Sequence, residues 1–246
     1  MTEDQHEDEV LRLLRRAELE PLGRIASASN LTVLCRLAGD AARRLAIYKP
    51  ERGEAPLWDF PPRTLHRREV AAYLVDRLLG WRMVPPTVLR ESGPLGRGSV
   101  QLFVDHDLER HYFALVAELD DAITVQLRRM VAFDLVVNNA DRKGSHVLLD
   151  AGGRVQLVDH GVCFHTDPKL RTVAWDFADE PVPAEVRADV AYVAEVLQRR
   201  DGDADVLSGL LTADEYAATC RRAQRVAQLE RFPPPRGVRP YPWPPL

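Results

Sequence analysis

Two short stretches of this chain carry residue types that do chemistry together. Asn138-Asn139-Ala140-Asp141-Arg142-Lys143-Gly144-Ser145-His146 is dense in polar and ionisable side chains, and Leu157-Val158-Asp159-His160-Gly161 follows shortly after it. Between them, Val147-Leu148-Leu149 and Val155-Gln156-Leu157-Val158 read as strands, joined by a turn at Asp150-Ala151-Gly152-Gly153. Such a hairpin folds the chain back on itself and brings Asp141 and Asp159 toward one place. Phosphoryl transfer needs this layout: one carboxylate to orient or deprotonate the acceptor, and a second to hold metal on the nucleotide phosphates. Asp141 is the candidate base and Asp159 the candidate metal ligand. Lys143 is placed to neutralise charge on the transferring phosphoryl. After Asp159 and His160, Gly161 would allow a tight backbone turn.

Other elements must bring a cation and a phosphate cradle to the same cleft. Helical spacing runs over 10–19, through Val10, Leu13, Leu14 and Ala17. The segment 31–37 reads as a strand, Gly39-Asp40 as a turn, and 44–49 as the returning strand, which Pro50 ends. Lys49 closes that strand. A proline-rich loop then reaches Pro62, and Thr64 is placed to cap a helix in which Val70, Tyr73, Leu74 and Leu78 share a face and Gly80 is the stop. Glu69 falls in the first turns of this helix, where it can pair with Lys49 and fix it against the phosphates. Ser27-Ala28-Ser29-Asn30 precedes the first strand and can aim N–H groups, hydroxyls and the Asn30 amide at phosphate oxygens. Gly93-Pro94-Leu95-Gly96-Arg97-Gly98 opens no helix, so it reads as a hairpin turn between strands near 87–89 and 99–104. Phe103 then lies where the chain would leave the sheet beside a bound adenine. Beyond it the pattern is mainly helical, around 123–135, 186–197 and 216–226, with a proline-rich tail from Phe232 expected to lie extended on the surface.

With 246 residues, 46% of them hydrophobic, the chain can build two lobes around a cleft. A net charge of −4 argues against a general nucleic-acid binder. No apolar run is long enough to cross a bilayer, and no membrane anchor or basic amphipathic helix is evident. The acidic start, Thr2-Glu3-Asp4, lacks the apolar region of a secretory signal. Cys35, Cys163 and Cys220 are odd in number and far apart, which fits neither a disulfide framework nor a zinc site and points to a reducing cytoplasm. No G-x-S-x-G elbow supports a serine hydrolase.

The loop Asp141-Arg142-Lys143-Gly144-Ser145-His146 and the motif Asp159-His160-Gly161 resemble the D-R-H-x-x-N and D-F-G motifs of the phosphatidylinositol 3- and 4-kinase-like superfamily. The whole chain resembles an actinobacterial family distantly similar to those lipid kinases. The shared segments are Ile47-Tyr48-Lys49-Pro50, Pro56-Leu57-Trp58-Asp59-Phe60, Arg68 to Tyr73, Asn138 to Lys143 and Lys169 to Val173, within roughly residues 20–180. HipA-type protein kinases are similar in the logic of the loop. The resemblance implies an α+β, two-lobed, protein-kinase-like fold: a β-rich N-lobe over 1–105 and a mainly helical C-lobe over 106–246. It implies ATP and a divalent metal, magnesium or manganese, held by Asp159 and His146. His146 stands where the superfamily has Asn, which favours softer ions than an amide oxygen would. Lys143 stands where it has His, and matches the spacing of the catalytic-loop lysine of Ser/Thr protein kinases. The expected acceptor is a hydroxyl on a protein or small molecule. His165, Lys169 and Arg171 follow the metal motif, where an anionic acceptor could meet them. Two other readings stay open: a nucleotide-binding regulatory module without turnover, and transfer of the nucleotidyl group.

Overall fold

The computed structural model describes every residue except Met1, Ser27, Ala28, Ala41, Arg236 and Val238. In chain order it has α1 (Glu3–Arg16), β1 (Leu19–Arg24), β2 (Val33–Leu37), β3 (Leu45–Pro50), α2 (Leu65–Leu79), β4 (Thr87–Arg90) and β5 (Gly98–Leu102). There follow α3 (Tyr112–Ala117), α4 (Asp121–Val137), β6 (Val147–Leu149), β7 (Val155–Leu157), α5 (Ala184–Arg199), α6 (Asp203–Leu210) and α7 (Ala213–Ala227). β1 to β5 form one antiparallel sheet in the order β1-β2-β3-β5-β4, and β6 and β7 form a separate hairpin. The architecture is the expected α+β one, a β-rich first part and a helical second part. None of the described helices is long and apolar enough to cross a membrane.

Side-chain alternation on β3 decides where Lys49 goes. Ala46, Tyr48 and Pro50 are buried on one face of the strand, which leaves Lys49 on the other. Across the ladder Lys49 pairs with Ser99 and Pro50 with Gly98. A Cβ on Gly98 would sit 2.4 Å from the Lys49 carbonyl oxygen, so only glycine fits there.

The N-terminal elements differ from the sequence reading. α1 starts at Glu3 because Thr2 and Gln5 form a capping box, and it ends at Arg16, where Ala17 turns extended. The chain then enters β1, a strand the sequence reading missed. Only Leu19 of β1 is buried, and its pairing with β2 shifts register between Pro21 and Gly23. An edge strand with one buried residue and a bulge carries no period-two signal.

α2 is the central helix and is buried on nearly all sides, polar residues included. Thr64 does not cap it: its hydroxyl donates to the Pro61 carbonyl at 2.7 Å. Glu54 serves the helix start instead, accepting the His66 N–H at 3.0 Å. Gly80 ends the helix in a left-handed conformation, as expected. Near that end, one oxygen of Asp76 accepts the Val84 N–H at 2.9 Å and the other is buried without a partner. Burial pushes its pKa up to about 7. An unfolded Asp titrates near 3.9, so between about pH 4 and pH 7 the folded chain holds the extra proton and stability falls as pH rises. Asp76→Asn keeps an acceptor for Val84 and never ionises. It should raise the melting temperature by several degrees at about pH 8, and change it little near pH 4.5, in paired thermal melts.

The helical part packs α7 against α5 and α4, and α6 against α2. The proline-rich tail does more than lie on the surface. Phe232 is buried, the Pro240 carbonyl accepts from Thr172 N–H and the Trp175 indole, and the Pro245 carbonyl accepts from Gly144 N–H at 2.8 Å. The tail therefore braces the loop that carries Asp141.

Candidate active site

The sheet, the central helix and the second motif meet at Lys49. Its ammonium bonds Glu69 of α2, and donates to Asp159 Oδ1 at 2.8 Å. The other Glu69 oxygen accepts the His160 N–H at 3.0 Å, so one carboxylate fixes both the lysine and the motif that follows β7. Burial opposes the Lys49 charge, but Asp159 and Glu69 raise its pKa, and it stays protonated. Lys49 in turn holds the half-exposed Asp159 carboxyl far below the usual range. The tight turn expected at Gly161 falls two residues earlier: Asp159 itself has φ 62°, and Gly161 is not left-handed. Asp tolerates that region better than most side chains, and the conformation belongs to the residue whose carboxylate must reach Lys49.

Asp141, Lys143 and His146 lie on the loop between α4 and β6. The Asp141 N–H donates to Asn139 Oδ1 at 2.9 Å, which holds the loop in shape. Lys143 Nζ is 3.5 Å from Asp141 Oδ2. Burial raises the Asp141 pKa to about 6, the charge of Asp159 adds to the rise, and Lys143 works against it. As the base of a phosphotransferase Asp141 would act ionised, and kcat/KM for ATP would rise with pH through a limb near 6. Lys143→Ala removes the opposing cation and should move that limb upward in a pH–rate profile.

His146 Nδ1 accepts from the Lys143 N–H at 3.4 Å, and Nε2 is 3.4 Å from Asp159 Oδ2. Burial lowers its pKa to about 4, so the ring is neutral. With Nδ1 accepting, the proton of the neutral ring sits on Nε2, beside the Asp159 carboxylate.

Arg142 ties these pieces together. It is fully buried and grips Asp134 of α4 with two nitrogens at 2.9 Å. It also donates to the Val158 carbonyl at 3.0 Å and to His160 Nε2 at 2.9 Å. Burial and the adjacent Arg142 push the His160 pKa well down, so this ring is neutral too. Both aspartate-bearing segments thus hang on one guanidinium.

A cavity of about 330 Å³ joins Lys49, Glu69, Asp141 and Asp159. Ser29 and Asn30 also line it, while Ser27 lies outside the described residues. Asn30 Oδ1 is occupied by the Ala55 N–H at 2.7 Å. Phe103 is elsewhere: it lines a separate cleft with α1 and the β6–β7 turn. Of the basic residues after the metal motif, Arg171 lines the cavity, Lys169 is taken up by Asp59 at 2.7 Å, and His165 packs edge-on against Phe60. Sequence reasoning missed Glu54 and His66, which line the same cavity. A lone histidine gave no partner to look for until the fold brought Glu54 to it.

Among the described residues, no group of three or more His, Cys, Asp or Glu side chains could hold a metal on its own. The donors present fit an ion that shares its ligands with phosphates: Asp159 is a half-exposed carboxylate, and magnesium characteristically takes one or two carboxylates plus phosphate oxygens.

This fold, with a lysine bridged to a helix glutamate and a post-hairpin aspartate, defines a protein-kinase-like chain. It superposes on the Golgi casein kinase with Mn/ADP bound at a TM-score of 0.58 and 14% identity, over 92% of this chain and 75% of that one. It superposes on hydra Fam20 with sugar at 0.56 and 15% identity, over 93% and 90%. The Helicobacter pylori proinflammatory kinase CtkA gives 0.55 and 10% identity, over 89% and 94%. No family profile matches the chain. It belongs to the family of Protein Rv2133c of Mycobacterium tuberculosis (strain ATCC 25618 / H37Rv), being 39% identical to it over an alignment of 276 positions that spans 99% of this chain and 96% of that protein.

Proposed function

We propose that the protein is an ATP- and divalent-metal-dependent phosphotransferase of the phosphatidylinositol 3-/4-kinase-like kind, with a protein or small-molecule hydroxyl as acceptor. The observation that carries this reading is Lys49, bonded at once to Glu69 and Asp159 in a cavity that also holds Asp141. Lys49 would take the nucleotide phosphates, positioned by Glu69. Asp141 would receive the acceptor's proton as its oxygen bonds to the γ-phosphorus. The bond from that phosphorus to the bridging oxygen then breaks, and ADP leaves with the electron pair. A magnesium or manganese ion on Asp159 would neutralise charge on the phosphates, and a structural neighbour crystallised with Mn/ADP supports that choice. The superfamily assignment rests on the two aspartate motifs.

A nucleotide-binding module without turnover is the second reading, favoured by His146 standing 3.4 Å from Asp159 where an amide ligand would stand. Thermal melts with ATP and magnesium, manganese or zinc test both. Ligand at a hundredfold excess over Kd contributes about 2.7 kcal/mol, a shift of several degrees. Asp159→Ala should abolish the metal-dependent part. No rise with any nucleotide and metal would overturn both readings. A rise without transfer to any acceptor selects the binding module, and transfer of label from the α-phosphate selects nucleotidyl transfer.

A further inference from the structure

One wall of the cavity has no part in binding phosphates. Residues 54–60, between β3 and α2, form a strap that starts on the sheet and is fastened to the helical part. At its start the Gly53 carbonyl accepts from the Leu31 N–H at 3.0 Å, and Ala55 is bonded to Asn30. A Cβ on Gly53 would lie 2.3 Å from the Leu31 Cβ, so these two loops are layered without a gap. At its far end Phe60 packs with Leu65, Ala140 and Val162, and Asp59 is bonded to Lys169. Ala140 precedes the candidate base and Val162 follows the metal motif. The strap therefore crosses from one half of the molecule to the other beside Asp141.

Two buried polar atoms behind the strap have no partner. Glu54 Oε1 accepts both the N–H and Nδ1 of His66, the latter at 2.8 Å, while Glu54 Oε2 and His66 Nε2 are buried and unpaired. His66 is 2% exposed. Nδ1 faces the Glu54 carboxylate and Nε2 lies 3.9 Å from Glu51 Oε2, beyond hydrogen-bond reach, so the atom that calls for a donor is Glu54 Oε2. His66 lies one helical turn before Glu69, so the pair is a neighbour of the Lys49 site. At the rim, Trp58 lines the cavity with its indole 92% exposed, and Lys169 Nζ is 5.0 Å from the ring centroid. An exposed indole over a polar pocket offers a flat face to the C–H side of a ring carrying hydroxyls.

We propose that the strap makes this cavity the binding site of a small polyhydroxylated acceptor, stacked on Trp58 and donating a second hydroxyl to the Glu54–His66 pair. The acceptor would share this cavity of about 330 Å³, at the lower end of ordinary ligand pockets, with the nucleotide phosphates on Lys49, which limits it to a small molecule. An extended peptide would have to thread beneath a strap fastened at both ends. The proposal rests on the phosphotransferase reading and narrows its acceptor.

The test offers the full chain γ-labelled ATP and manganese with glycerol, a hexose, a 2-amino-hexose and a cyclic hexitol, and in parallel dephosphorylated casein. The expected result is label on at least one polyol, with kcat/KM about a hundredfold above casein. Trp58→Ala is an exposed substitution that leaves the packing intact. It should raise the polyol KM about tenfold with the KM for ATP unchanged, and His66→Gln should act in the same direction. Labelled casein with no labelled polyol, or an unchanged polyol KM in Trp58→Ala, would overturn the proposal and spare the phosphotransferase reading. If no nucleotide binds, that reading falls alone, and melts with each polyol judge the pocket. A rise removed by Trp58→Ala sustains it, and no rise with any polyol overturns it.

Discussion

Asp141→Asn should lower turnover by about 10²- to 10⁴-fold, the range a positioned general base contributes, while nucleotide affinity stays within about threefold. The separation follows from the geometry. The Asp141 carboxylate bonds neither Lys49 nor Asp159, the groups that would hold nucleotide and metal; its neighbours are Lys143 at 3.5 Å and, through the backbone, Asn139. Asn has the same shape and preserves the loop, but it cannot take a proton at neutral pH. Single-turnover assays with labelled ATP, paired with nucleotide-induced melting shifts, separate the two quantities. Equal loss of both would take the role of base away from Asp141 and leave it a structural residue of the loop.

Arg142→Ala should cost about 3–5 kcal/mol of stability, the usual penalty for leaving one member of a buried ion pair alone. Asp134 would lose its guanidinium, and the Val158 carbonyl and His160 would lose a donor in the same step. The midpoint of chemical denaturation reads the loss. The double variant Arg142→Met with Asp134→Leu should recover part of it, because no unpaired charge is left in the core. It should not recover all, since Val158 and His160 stay unserved. Should Arg142→Ala cost less than about 1 kcal/mol, the guanidinium would not be what holds the two aspartate segments together.

What could be read from the sequence was whatever one short stretch decides. The Asp141–Asp159 arrangement was legible because a hairpin with an obvious turn separates the two motifs. Lys49 and Glu69 were legible as the end of a strand and the first turns of the next helix. Each long-range partner was not. Glu54 sits in a proline-rich loop with nothing in its neighbours to mark it, and only the fold carries it to the start of α2, where it replaces Thr64 as the cap and holds His66. Asp134 reads as an ordinary polar position in α4 until Arg142 is seen to be buried against it. The second position of the metal motif, His160, gains its reason only from the Arg142 nitrogen that it accepts. β1 escaped notice because an edge strand with a single buried residue leaves no pattern.

Lys49 also sets how two ligands would influence one another. Its ammonium occupies the Asp159 oxygen at 2.8 Å, so a cation arriving alone competes with a charge already in place. Phosphate oxygens would draw the same ammonium toward themselves and release the carboxylate. Nucleotide and metal would thereby be coupled through one side chain, each strengthening the other's binding by the same factor, as linkage requires. A shortfall in affinity for either ligand alone would be built into the unliganded cleft, and the two would recover it only together.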